Sequence, residues 1–283
     1  MNYEFYGYGR ANGFGSRNHI LIIPTVTCSE FVVRKIAQEG QKFYDLPDGK
    51  IKVLHNAYGC GQTGDDLEQT TRTLINMCIN PNVYAMLVLS LGCESVDYER
   101  VAEEISKFKH VEFLKIQDNG GHRTIDLGVE KIGILAEEAR KQVRKKRDIG
   151  NISAGLECGG SDYTSRLASN PIVGRVSDWL VENGATTIIS EVPEFIDAEH
   201  LYARRAVNEA VREKIISTVH NFEEKLKREA KVDFRRGQPS PGNIEGGFTT
   251  IEEKSLGAVK KSGSALVSGV LDYAEVPKVR GII

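Results

Sequence analysis

The 283-residue chain lacks the cysteine pattern of a disulfide-stapled domain. Its five cysteines (Cys28, Cys60, Cys78, Cys93, Cys158) are odd in number, widely spaced and without a CxxC pair. Reduced thiols are the expectation. Long hydrophobic runs are missing as well: no stretch nears the roughly 18 apolar residues of a membrane span. The opening MNYEFYGYGRANGFG also has no apolar signal core. A cytoplasmic protein that crosses no membrane is expected. Neither charge dominates, since 37 Lys and Arg face 39 Asp and Glu for a net charge of −2. Composition therefore forces no basic face, and nucleic acid is not expected as a partner. The densest positive run, residues 141–147 (KQVRKKR), follows a helix-like segment and reads as its solvated end, where cations offset the helix dipole. Low-complexity tracts and solenoid-type repeats are absent too.

What remains is an ordinary globular composition, 40% hydrophobic and 27% charged, in a chain long enough for two cores. The run from His19 through Val26 is short and β-branched, and reads as a buried strand; Thr27-Cys28-Ser29 offers a helix cap before Glu30. A strand from Ile51 to His55, the loop YGCGQTGDD and a helix bearing Leu67, Leu74, Ile75 and Cys78 repeat the pattern. A third copy is the apolar run from Tyr84 to Leu91, the turn GCE and a helix over 98–108. A fourth runs from Val111 to Gln117, through NGGHRT, into a helix over about 125–147. Continuous apolar strands alternating with helices predict parallel sheets covered on both faces, an α/β fold.

A charged boundary near 146–149 divides the chain into 1–147 and 148–283. In the second part we expect a helix over 171–183, a strand over 186–190, one long charged helix over about 199–230 and a polar loop, GQPSPGNIEGGFTT. A helix over 251–261 follows, and then VPKVRGII, which has the composition of a strand entering a sheet. The expected architecture is two three-layer α/β domains, the second incomplete.

Ligands of such sheets sit beyond the carboxyl ends of the strands. Cys28, His55, Cys60, Cys93, Glu94 and Gln117 all fall there. His55 and Cys60, five residues apart in a glycine-rich loop, suit a divalent ion, with thiolate favouring Fe2+ or Zn2+. The glycines would let backbone amides approach an anion at a helix start. Cys93 and Glu94 bring a thiol and a carboxylate to the same rim, and LECGGSD places Cys158 beside Ser161 and Asp162. SEVPE sets Glu191 and Glu194 directly after a strand, and Glu199-His200 opens the next helix. Paired acids and a histidine are the material of proton transfer or metal ligation. Each feature also has a plain structural reading: a glycine turn, a buried cysteine, a capping Ser or Asp, a surface histidine. Cys78 lies on an apolar helical stripe and reads as core; His220, in a charged helix, reads as solvated.

The ordered segments GSRNHILIIPTVTCS, GCGQTGDDLE, LGCE, IQDNGGHRTI, GLECGGSD, SEVPE, AEHLYARRA and PSPGNIEGGFTTIEEKSLGAVKKSG, from about Gly9 to Ala274, resemble the altronate/galactarate dehydratase family. That family includes the large subunit of sulfolactate sulfo-lyase. The resemblance implies a hydro-lyase that removes water from a sugar acid to give a 2-keto-3-deoxy acid, with Fe2+, or Mn2+ or Zn2+, as cofactor. It implies His55 as metal ligand or base, and Cys60, Cys93 and Cys158 around the metal. Glu191 and His200 become proton carriers, and Gly61, Gln62, Asp65, Glu94, Gln117, Ser161 and Asp162 surround a small carboxylate substrate. A small β-rich partner subunit, a homo-oligomer and about a hundred further residues after VPKVRGII, within usual domain size, are also implied. Two other readings stand beside it: a carbon–sulfur lyase releasing sulfite, and a non-catalytic scaffold subunit.

Overall fold

A hairpin of β1 (Glu4–Arg10) and β2 (Gly13–Gly15) opens the chain, paired antiparallel with Tyr8 opposite Gly15. The apolar runs then build β3 (His19–Pro24), followed by α1 (Glu30–Phe43), β4 (Ile51–Val53), α2 (Gly64–Cys78), β5 (Val83–Ser90), α3 (Tyr98–Ser106) and β6 (His110–Lys115). A single turn, α4 (Ile116–Asn119), leads into α5 (Gly121–Arg140) and β7 (Lys145–Asp148). The computed structural model describes residues 3–46, 48–157 and 159–283. The chain divides into an N-terminal unit, Glu4–Arg147 with Asp272–Val276, and a C-terminal unit, Asp148–Leu271 with Pro277–Ile283 and Tyr3.

In the N-terminal unit the strands run β4-β3-β5-β6, all parallel, with Ile20 opposite Ala85 and Ile22 opposite Leu87. Period-two alternation sends successive side chains to opposite faces. Ile20, Ile22, Ala85, Leu87 and Leu89 pack on Ile36 of α1 and Ile132 and Leu135 of α5. Leu21, Ile23, Met86 and Val88 pack on Leu74 and Cys78 of α2 and Val101 and Ile105 of α3. Both faces are dry, which is why these strands carry almost no polar residue. Cys78 is buried, as its place on the stripe predicts, and burial pushes its thiol pKa up.

Several expectations need correcting. The helix expected over 125–147 starts at Gly121 and ends at Arg140. The basic run is therefore no helix end: it enters β7, which pairs beside β1. There Arg144 and Arg147 stack on the Tyr8 and Phe14 rings, at 5.4 Å and 4.4 Å, and Lys146 pairs with Glu4 at 3.0 Å. The lysines of the run stay exposed to solvent, while the two arginines are partly covered by ring faces. β6 stops at Lys115, so Gln117 lies on the α4 turn and not on a strand.

The C-terminal unit holds β8 (Ser153–Leu156), α6 (Asn170–Glu182), β9 (Thr186–Ile189), α7 (Glu199–Ala203), α8 (Glu209–Lys225), α9 (Pro241–Glu245), α10 (Ile251–Lys261) and β10 (Gly281–Ile282). Its sheet is parallel, in the order β10-β9-β8. VPKVRGII thus does enter a sheet. The single helix expected over 199–230 is broken after Ala203, because residues 205–207 pair with another segment. Val207 N–H donates to Val267 O at 3.0 Å, and Val267 N–H donates to Arg205 O at 2.8 Å. Asn208 restarts the helix by accepting the Val211 N–H at 3.0 Å. The expected polar loop contains α9, whose start is capped reciprocally by Ser240 and Asn243. Among the described residues no helix is long and apolar enough to cross a membrane.

Candidate active site

The strand order of the N-terminal sheet reverses direction at β3: β4 lies on one side of it, β5 and β6 on the other. Chains leaving β3 and β5 pass to helices on opposite faces of the sheet, and the carboxyl ends at such a reversal are where ligands of α/β sheets bind. Three latches shape this rim. Buried Asn56 donates to Pro24 O at 3.2 Å and accepts the Tyr58 N–H at 3.1 Å. The Thr27 N–H bonds Tyr58 O at 2.8 Å, tying the loop after β4 to the loop after β3. Thr25 Oγ1 donates to Glu94 Oε1, while Glu94 Oε2 accepts the Gly92 N–H at 2.7 Å, joining β3 to β5.

Glu94 therefore acts as a clamp between the loops that follow β3 and β5. Partial burial works to raise its pKa, but the bonds from Thr25 and Gly92 outweigh it and hold the carboxyl below the usual range. A depressed native pKa adds stability above the unfolded value, about 4.3, and that stability is lost as pH falls through the native value. Glu94→Gln is thus expected to cost about 1 kcal/mol, after allowance for solvent screening, at pH 7. In urea melts the gap to the parent should close on acidification below about pH 4. A gap independent of pH would refute the clamp.

His55 stands on this rim with its side chain 61% exposed, and its Nδ1 lies 3.1 Å from Glu30 Oε1. Nδ1–H donates to a carboxylate oxygen that also accepts Arg34 Nε–H at 2.8 Å, and a carboxylate behind one ring nitrogen is the usual orienting partner of an imidazole that works through the other. Glu30 is mostly buried, and its Oε2 finds no partner. Sequence reading missed Glu30: 25 residues separate it from His55, and only the loop closure above joins them. Cys60 and Cys93 are exposed, as is Cys28. Ser95 Oγ donates to Cys60 O at 2.5 Å, so the two cysteine-bearing loops are bonded together.

An added Cβ on Gly61 or Gly64 would meet nothing within 4 Å, so the start of α2 presents open backbone ahead of Asp65. Gln62 Oε1 is buried without a partner. Gly92 adopts φ +118, a backbone that side-chain-bearing residues rarely take, and the end of the Gln117 side chain lies where its Cβ would be.

The rim of the C-terminal unit gathers a second set. Glu157 after β8 accepts Ser190 Oγ at 3.1 Å. Glu191, directly after, adopts the left-handed conformation at φ 66, ψ 63, and its carbonyl accepts the Glu194 N–H at 2.8 Å. Lys261 of α10, fully buried, reaches Glu194 at 2.7 Å and Glu191 at 3.4 Å. Asp162 Oδ1 accepts Ser165 N–H and Thr164 Oγ1, each at 2.8 Å; the Ser165 bond leads in lowering its pKa, so this carboxylate caps a turn. Ser161 contributes its carbonyl to Asn243 at 3.0 Å. His200 is exposed on α7. His220 is exposed as well and lies 3.7 Å from Glu199. Cys158 lies outside the described residues. Lys261 was also missed, although a lysine continuing the buried stripe of Ser255 and Ala258 was a signal.

His55, backed by the Glu30 carboxylate, and the exposed thiols of Cys60 and Cys93 stand on neighbouring loops of this rim. Among the described residues no three His, Cys, Asp or Glu side chains gather at ion-ligating spacing.

Two family descriptions match nearly the whole chain. The second domain of D-galactarate dehydratase/altronate hydrolase matches residues 7–140, and the C-terminal part of D-galactarate/altronate dehydratase matches 149–283. The chain is similar to an altronate dehydratase of Bacillus subtilis, 37% identical over 99% of this chain and 57% of that protein. It is similar to an altronate dehydratase of Escherichia coli, 37% identical over 97% and 56%. It is also similar to the (2R)-sulfolactate sulfo-lyase subunit beta of Chromohalobacter salexigens, 37% identical over 98% and 70%. The chain thus spans little more than half the length of the two altronate dehydratases.

Proposed function

The chain belongs to the D-galactarate/altronate dehydratase family, and we propose that the protein it forms part of eliminates water from a sugar acid to give a 2-keto-3-deoxy acid. The observation that carries this reading is His55, exposed on the rim at the sheet's switch point and oriented by Glu30 at 3.1 Å. In the reaction a base removes the proton on C2, next to the carboxylate, and the electron pair forms an enediolate. The C3–O bond then breaks, and the departing hydroxide takes a proton and leaves as water. The resulting enol tautomerises to the ketone. Glu191 or His200 carries one of the protons.

The open backbone at Gly61 and Gly64, with Gln62, Asp65 and Gln117, receives the carboxylate end of the substrate. Glu94 keeps that rim in shape. A divalent cation, Fe2+ foremost with Mn2+ or Zn2+ as alternatives, would be held by His55 with the thiolates of Cys60 and Cys93, and would supply electrophilic stabilisation of the enediolate. The cytoplasm, a homo-oligomer and a small β-rich partner subunit complete the proposal.

A panel of aldonic and aldaric acids, offered with divalent metal to the full-length protein, tests the reading by mass spectrometry for loss of one water. No dehydrated product from any member would sink it. The similarity to a sulfo-lyase subunit over 98% of this chain favours a second reading, sulfite release from a sulfonated hydroxy acid. Sulfite in place of a dehydrated product would decide for it.

A further inference from the structure

Lys261 has no place in the elimination outlined above, yet its position is costly. The ammonium is fully buried at the last residue of α10. Removing such a charge from water is strongly unfavourable unless it is paired. Glu194, its carboxylate only 12% exposed, supplies that pairing at 2.7 Å. Glu191 differs: its side chain is 41% exposed, and its Oε2 lies 3.4 Å from the same ammonium. Glu191 also holds a left-handed backbone, φ 66, shortly after β9, a strained conformation for a residue with a side chain. Such a conformation persists only where its surroundings over-determine it.

We propose that Lys261 is a positioning residue: anchored by Glu194, it fixes the carboxylate of Glu191 in the direction from which that group handles the substrate proton. The proposal rests on the elimination reading and deepens it. The buried ion pair is the rigid part, and Glu191 is the working part that reaches out from it. Losing the ammonium leaves Glu191 present but unaimed, which should cost turnover more than substrate binding, because a displaced proton-transfer group acts on the chemical step.

The test is a kinetic double-mutant cycle in the full-length protein. Lys261→Met is expected to lower kcat by about 10- to 100-fold with KM changed little. On a Glu191→Gln background the same change should cost less than about twofold. Equal losses on both backgrounds, or an unchanged kcat, overturn the proposal. Since Lys261→Met strands the Glu194 charge and could unfold the unit, the neutral pair Lys261→Met with Glu194→Gln is measured beside it. Low kcat in that folded pair supports positioning of Glu191; full activity means Lys261 serves only to neutralise Glu194, and the proposal falls. A crystal structure of the neutral pair supplies a readout free of activity. Glu191 should leave its left-handed conformation and its carboxylate should shift; if both stay in place, the positioning role is wrong. A parent protein that turns over no sugar acid would sink the elimination reading, and the structural readout would still decide whether Lys261 places Glu191.

Discussion

His55→Ala in the full-length protein is expected to lower kcat/KM for the sugar acid proposed as its substrate by about a thousandfold, the middle of the range for losing a positioned proton-transfer group. If His55 also ligates the metal, bound metal measured by mass spectrometry should fall with it. Glu30→Gln is the informative partner. It leaves the imidazole but weakens the carboxylate 3.1 Å from Nδ1, and loss of such an orienting group typically costs 10- to 100-fold in metal affinity or activity. A ligand role predicts that added metal restores Glu30→Gln but not His55→Ala. A purely basic role predicts that metal restores neither. His55→Ala with parental turnover would remove His55 from the site.

Gly174→Val is expected to destabilise the C-terminal unit by about 3 kcal/mol, the upper end of the usual cost of overpacking. Gly174 sits inside α6, where a Cβ would lie 2.2 Å from Lys260 O and 3.0 Å from Gly263 N. Both neighbours are backbone, so no rotamer change relieves the clash; α6 and α10 must part. Their contact also seats Asp178, which accepts the N–H groups of Ser264 and Ala265 at 2.6 Å and 2.9 Å. Because folded domains hold only about 5–15 kcal/mol in total, such a loss should be plain in urea unfolding. Gly155→Ala, whose Cβ meets nothing within 4 Å, is the control and should stay within about 0.5 kcal/mol. Equal stability of the two variants would mean that the helices do not approach as closely as described.

How far the sequence alone could be read depended on whether a feature was local. β3 and β5 were legible because a strand dry on both faces leaves a continuous apolar run, and Cys78 was legible because a stripe of helical spacing passes through it. The break between α7 and α8 was not, since AEHLYARRAVNEAVRE has strong helical propensity throughout. It is a distant segment, through Val267, that withdraws residues 205–207 from the helix. The basic stretch before Asp148 misled for the same reason: its aromatic and acidic partners, Tyr8, Phe14 and Glu4, lie more than a hundred residues earlier. On the rims, residues at strand ends could be read from pattern, whereas Glu30 and Lys261 depend on loops meeting in space. Their neighbours in the chain say nothing about an imidazole or a carboxylate across the turn.

The short segment Asp272–Val276 belongs to the N-terminal unit although the chain on both sides of it belongs to the other. Arg72 Nε of α2 donates to Tyr273 O at 2.9 Å, and Asn76 Nδ2 donates to Ala274 O at 2.9 Å. During synthesis, then, the first unit cannot be finished when its own sheet is complete. At about 5–20 residues per second, residues 272–276 emerge roughly 6–25 seconds after β7. Until then α2 must carry Arg72 and Asn76 without these two acceptors.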